Sequence, residues 1–446
     1  MKRILLILIA ALLIMSISCS KKEGASGGGS SGAEKVTIVV GGWPSADVGF
    51  RAALPGFYAE YPNIEVEIEM SDTTAYQQAL TTSLAAGQGA PDVAMINGDW
   101  IGQYRDSPAF VNLMDPPYNS ESYRKDFAAY KWDQGYSADK KRFIGMSWDL
   151  GPATYFYRVD IFAECGLPTE PEEVARYMST WSGVLDAARK VYIPGQRWLM
   201  PDATILYQEL FLLMDYFNED LTLRLDRAGD IECLNAVIEM RKNMLDMNVN
   251  MWSSEAYAAF DSGALASVVS GCWYGGFLKD FINPDGGGNW RITTLPGNVS
   301  SSNMGGSYMA IPLQSKHHAE AWAFMHHMMA TTKGQNDIFL GVDYFPSYKP
   351  AWDDPIYDEP DPYFGGQKTR ALWRQIAREL NQGFFTTIMD VTVLGLIPTS
   401  LGTGIEQGLN AQEIKAQFRR DIDLQTAEMR RQQIQIYRDA GIWNND

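Results

Sequence analysis

From Val36 onward the chain settles into short apolar runs separated by longer amphipathic ones. VTIVVGG, Val36 to Gly42, is an apolar run closed by two glycines and reads as a buried strand. Phe50, Leu54, Phe57, Tyr58 and Tyr61 then recur at helical spacing, with Asp47 placed to cap the helix and Pro55 to kink it. Tyr61-Pro62-Asn63 stops that helix, and IEVEIEM, Ile64 to Met70, alternates as a half-buried strand. Tyr76, Ala79, Leu80 and Leu84 mark a second helix that ends at Gly87, and DVAMIN, Asp92 to Asn97, is a third strand. Strand, helix, strand, helix, strand at this rhythm predicts a parallel sheet with crossover helices.

Farther on, RFIGMSW (Arg142 to Trp148) and ATYFYR (Ala153 to Arg158) read as two strands. A helix-rich stretch covers about Glu172 to Asp261, and short strands are expected at ALASVVSG, WRITTLPG and SYMAIPL. One more helix spans about His318 to Thr331. The last begins at Ala411, where Asn410 and Glu413 stand as a capping pair.

The N-terminus follows a different logic. Lys2 and Arg3 precede an apolar run from Ile4 to Met15, too short to span a bilayer but suited to a secretory signal. Cys19 stands where bacterial lipoprotein signals are cleaved and acylated, although Ser16 occupies a position where Leu is usual. Residues 20–35 are Gly, Ser and charged residues with little to bury, a flexible tether spanning on the order of 20 Å. Gly28 to Gly32 spells G-x-S-x-G, but no strand precedes it and no helix follows, so it is no nucleophile elbow.

Composition removes further classes. A chain of 446 residues is long enough for two or three domains, and a formal charge of -17 disfavours nucleic acid as a partner. Beyond Cys19 only Cys165, Cys233 and Cys272 remain, so no cystine framework holds the fold. There is no phosphate-binding G-x-x-x-x-G-K-[ST] and no H-E-x-x-H. All four histidines fall between His317 and His327 as two adjacent pairs, which gives no chelating spacing on a helix and leaves no histidine to serve a distant nucleophile. The acidic tract DDPIYDEPDP, Asp353 to Pro362, lacks the order of a calcium loop and reads as solvated. No metal or cofactor is expected, and no catalytic residues are assigned.

Four stretches, in order, resemble the family 1 extracellular solute-binding proteins of bacterial ABC importers. They are SLAAGQGAPDVAMINGDWIGQY (Ser83 to Tyr104), GMSWDLGPATYFYRVDIFAECGLP (Gly145 to Pro168), AAFDSGALASVVSGCWYGGF (Ala258 to Phe277) and GGSYMAIPLQSKHHAEAWAFMHHMM (Gly305 to Met329). In the second, Arg158 stands where the family has Asn. The resemblance implies a two-lobed α/β periplasmic-binding fold whose lobes close on a solute by a hinge, as in the periplasmic proteins that exemplify such closure. The expected division is a signal over residues 1–19, a tether over 20–35, one lobe from 36–147 plus 303–343, and another from 148–302 plus 344–446.

In open α/β sheets, ligands bind beyond the carboxyl ends of strands. That rule selects Trp43, Asp99, Trp100, Trp148, Asp149, Trp273, Tyr274 and Tyr308, each just past or within an expected strand. Flat aromatic rings match the C–H face of a pyranose, and carboxylates accept its rim hydroxyls, so a mono- or oligosaccharide is the expected ligand. A peptide or polyamine suits an aromatic, acidic cleft too, and a glycoside-active enzyme or an adhesin is the contrasting class. The expected protein is a monomeric, non-enzymatic lipoprotein, anchored through Cys19 at the cell envelope and working with membrane permease subunits.

Overall fold

The computed structural model describes residues 34–212, 215–299, 302–380 and 385–443. The apolar leader, Cys19 and the tether up to residue 33 lie outside them. Ten strands are present: β1 (Val36–Gly42), β2 (Ile64–Met70), β3 (Val93–Asn97), β4 (Met146–Ser147), β5 (Asp149–Leu150), β6 (Ala153–Arg158), β7 (Ser267–Gly271), β8 (Trp290–Thr293), β9 (Ser307–Ala310) and β10 (Phe345–Pro346).

The first sheet runs β2-β1-β3-β9-β4. β1 pairs in parallel with β2 and β3, as the strand-helix rhythm predicts, with Val36 opposite Ile64 and Val40 opposite Val93. β9 enters antiparallel to both β3 and β4, so the sheet is mixed. Ile38, Val40 and the run Val93–Ile96 are wholly buried, and Phe50, Phe57 and Phe324 pack with them in one apolar core.

β7, β6 and β8 form a separate antiparallel sheet in that order. Here the period of two explains an unbroken apolar strand. Ala153, Tyr155 and Tyr157 of β6 enter one core while Phe156 enters another, so both faces of the sheet are covered. Helices Asp390–Glu406 and Ala411–Asp439 pack into the first of these cores through Val393, Ile397, Leu401, Ile414, Phe418 and Ile422.

The chain therefore has two lobes, and it passes between their sheets three times: through β5, through residues 302–307, and through β10. These crossings touch one another. β5 pairs antiparallel with β10, and Pro152 bridges Asn303.

Local expectations fared unevenly. Asn410 and Glu413 form the reciprocal capping box of the helix Ala411–Asp439, and Gly87 ends its helix at φ 68°. Asp47 is not a cap. Ser45 holds that position at φ 80°, while Asp47 lies in the first turn and pairs with Arg51 at 3.7 Å. Of Arg142–Trp148 only Met146–Ser147 is strand, because Phe143 and Ile144 are taken up by hydrogen bonds to the preceding loop, Phe143 O accepting from Leu113 N and Ile144 N donating to Gly135 O.

The acidic tract is ion-paired rather than simply solvated. Asp358 meets Arg374 at 2.5 Å, Asp353 meets Arg378 at 3.1 Å, and Asp361 turns inward to Lys279 at 2.8 Å. The histidines disperse as well. His327 is buried with Nδ1 3.3 Å from Glu60, whereas His326 stands edge-on to Tyr123.

Candidate ligand-binding cleft

The three crossings set the geometry of the seam between the lobes. Gly305 and Gly306 adopt φ values of 72° and 81°, a region open to glycine, and this lets the return crossing approach β3 closely. A Cβ on Gly98 would lie 2.5 Å from Gly306 O. Asn97, the last residue of β3, accepts the Asp99 N–H on its side chain and so fixes the turn that carries Asp99 and Trp100.

Lys131 is the centre of this seam. Its Nζ donates to Gly305 O at 3.0 Å and lies 4.6 Å over the Tyr308 ring. The carboxylates of Asp99 and Asp149 flank it, and their charges oppose the loss of its proton that burial favours. Burial in turn pushes Asp149 up, moderated by Lys131 and by the Ser307 N–H, which donates to its Oδ1 at 2.6 Å. Asp99 rises to about 6 by burial, again moderated by Lys131.

The second lobe answers with a wide-turn segment, Gln208–Leu212. There Glu209 accepts from Gln208 at 2.7 Å, and its carboxyl is pushed to about 7 by burial and by the facing charge of Asp99. Asp390 is likewise raised to about 7 by burial, even though Thr387 donates to it. Among the described residues, Asp99 Oδ1 and Tyr216 Oη are buried without a hydrogen-bond partner. The charges of Asp99, Glu209 and Asp390 all act on that phenol. Buried polar atoms are rarely left unpaired, and these two lie on elements of different lobes, Asp99 after β3 and Tyr216 after the segment Gln208–Leu212.

The eight candidate residues separate by burial. Trp43 packs edge-on against Tyr76 at 6.2 Å. Trp148 is fully enclosed between Phe50 and Tyr344, at 4.9 and 5.2 Å. Tyr308 is also enclosed, its hydroxyl bonded to Gln134 and to Lys131 O. Tyr274 sits in the second lobe between Phe156 and Phe260. These four rings are packed in the apolar cores of the lobes. Asp99, Asp149 and the half-buried Trp100 and Trp273 stand at the seam itself, where the Trp273 indole N–H donates to Met304 O of the return crossing at 3.0 Å.

Lys131, Glu209, Tyr216 and Trp252, which stacks on Trp273, escaped the strand-end rule. Lys131 lies in a five-residue helix and Glu209 in an irregular turn, where no periodicity points. Trp252 had a signal that could have found it, a tryptophan immediately before the Ser253 cap of the helix Ser254–Ser262.

The raised carboxyls predict a pH dependence of stability. Their folded pKa values lie above the unfolded ones, so their contribution is full below about pH 4 and is lost as pH rises through 6 to 7. Lys131, lowered by burial, acts only at higher pH. The ligand-free melting temperature is expected to fall by a few degrees between pH 5 and pH 7.5, and Glu209→Gln to flatten that slope, by circular dichroism melts.

Comparison with known proteins agrees with this architecture. The profile of the family described as bacterial extracellular solute-binding protein matches residues 53–361. A lactose-binding protein of Rhizobium radiobacter is 26% identical over 388 residues, covering 82% of this chain and 88% of the relative. An arabinooligosaccharide-binding protein of Halalkalibacterium halodurans is 23% identical over 353 residues, covering 74% and 76%. The ABC transporter associated binding protein from B. animalis subsp. lactis Bl-04, solved with beta-1,6-galactobiose, superposes with a TM-score of 0.71 at 21% identity, over 88% of this chain and 98% of that one. With its sheets joined by three crossings and more than half its length matched, the chain belongs to the bacterial extracellular solute-binding proteins, and is a binding protein rather than an enzyme.

Proposed function

We propose that this protein captures a carbohydrate between its lobes and delivers it to an ABC permease. The observation that carries the reading is the pairing, in one seam, of aromatic surface at Trp100 and Trp273 with the carboxylates of Asp99, Asp149 and Glu209. Aromatic faces take the C–H side of a sugar ring, and carboxylates accept the hydroxyls at its edge. The Tyr216 hydroxyl adds a donor that lacks a partner of its own. Relatives that bind lactose and arabinooligosaccharides support the same ligand class.

The lobes are taken as 36–147 plus 303–343 and 148–302 plus 344–446, with the sugar stabilising their closed arrangement by touching both. No helix among the described residues is long and apolar enough to cross a membrane. We place the protein outside the cytoplasm as a monomer, held at the envelope by acylated Cys19 and its tether. Fatty-acid labelling that is lost in Cys19→Ser tests the anchor.

Intrinsic tryptophan fluorescence tests the ligand class. Titration with lactose, β-1,6-galactobiose and arabino-oligosaccharides is expected to give a saturable change with at least one of them. Trp273→Ala is expected to weaken that sugar by about 2 kcal/mol or more, roughly 30-fold. Silence toward every sugar combined with a response to spermidine or a cationic peptide would keep the fold and replace the ligand.

A further inference from the structure

The rings around Trp273 continue past the seam. Trp252 stacks on Trp273 with centroids 5.6 Å apart and planes at 22°. Phe277 stands edge-on to Trp252 at 5.6 Å, and Phe281 lies 5.8 Å beyond Phe277. The inner end of this run is fixed at the return crossing by the Trp273 indole, and its outer end faces solvent, with Trp252 44% and Phe281 50% exposed. A contiguous exposed aromatic strip marks a binding surface more often than isolated exposed side chains do.

Trp252 is held in place before any ligand arrives. The Asn250 side chain accepts the Trp252 N–H at 2.9 Å, and the Ser253 hydroxyl donates to Asn250 O at 2.7 Å while capping Ala256 N at 3.1 Å. A platform fixed in this way loses little entropy when a ring settles on it. Asn250, Glu255 and Asp280 are exposed along the same segments and offer polar partners at the edges. Those carboxylates disfavour an anionic polymer, and their oxygens can accept the hydroxyls of a neutral sugar ring.

We propose that Trp252 and Phe281 form an outer carbohydrate platform, continuous with the seam, on which the trailing rings of a neutral oligosaccharide lie while its leading ring is held between the lobes. The proposal rests on the carbohydrate reading above and adds chain length to it. Trp252 covers one face of Trp273, so the outward face of Trp252 is the surface offered to the second ring.

Calorimetric titration of the full chain with a ladder of arabino-oligosaccharides, from the disaccharide upward, tests it in wild type, Trp252→Ala and Phe281→Ala. Phe281→Ala is expected to leave the disaccharide within about twofold and to weaken the longest members about tenfold, with Trp252→Ala acting one ring earlier. Equal loss at every length, or no loss at any, overturns the platform while leaving the carbohydrate reading intact. Reduced cellular uptake with every affinity unchanged overturns it too, and reassigns the strip to a protein contact. A wild type that binds no sugar on the ladder, nor lactose or galactobiose, defeats the carbohydrate reading and the platform with it. Both side chains are on the surface, so unchanged thermal melts serve as the folding control.

Discussion

Gly102→Ala is expected to leave the protein folded but to weaken its solute by roughly 5- to 150-fold. Gly102 follows β3 in the first lobe, and a Cβ built on it would lie 2.3 Å from Thr387 O and 2.8 Å from Thr387 N and C. Thr387 belongs to the other lobe, just ahead of the helix Asp390–Glu406 that packs under β6 and β7. Neither atom set is the mobile end of a side chain, so the added methyl must push two backbones apart. Overpacking of this kind costs about 1–3 kcal/mol, and here it is charged only to the arrangement in which the lobes touch. Alanine in a helical position recovers up to about 1 kcal/mol in either arrangement, which protects the fold.

The same junction is strapped by Arg105, whose Nη1 donates to Thr386 Oγ1 at 3.1 Å and whose guanidinium lies 5.7 Å over the Phe385 ring. Solution scattering with saturating sugar is the decisive measurement. The variant should keep a larger radius than wild type, and an unchanged radius and affinity would show that Gly102 and Thr387 need not meet for binding.

Lys279→Met is expected to cost about 3–5 kcal/mol of stability, the usual consequence of removing one member of a buried ion pair. Lys279 Nζ lies 2.6 Å from Asp343 Oδ2 and 2.8 Å from Asp361 Oδ2, and both carboxylates are almost wholly enclosed. Methionine fills the space of the stem but leaves two buried charges to face each other. Denaturant melts at pH 7 should show the loss, and it should shrink toward pH 5, because burial already raises the Asp343 pKa and protonation then relieves the repulsion. Adding Asp361→Asn should recover part of it. A loss under 1 kcal/mol would mean that water reaches these carboxylates.

What could be read from the residues depended on the range of the forces involved. The β-α-β-α-β opening was legible because IEVEIEM alternates and the Leu80 and Leu84 helix repeats locally, and Asn410 with Glu413 marks a helix start within four residues. The antiparallel insertion of β9 was not legible, since Ala94 and Ala310 meet across more than two hundred residues. The strand-end rule selected Asp99, Asp149 and Trp273, which the structure places at the seam. It could not tell that Trp148 and Tyr308 point into the first-lobe core, because the direction of a ring at a strand end is set by the tertiary packing around it. Lys131 sits in a five-residue helix and Glu209 in an irregular turn, and only the packed lobes determine their positions.

The strand order β2-β1-β3-β9-β4 also governs how the protein is made. β4 has no partner in its sheet until β9 arrives, and Met146 and Met309 are about 160 residues apart in the chain. At ribosomal speeds of roughly 5–20 residues per second, that edge waits on the order of 10–30 s for its neighbour. Helix Thr332–Val342, which packs against the helix Ala46–Glu60, comes later still. During that interval the first lobe cannot close its core, so the growing chain keeps an unpaired strand edge and uncovered apolar surface until its last third is made.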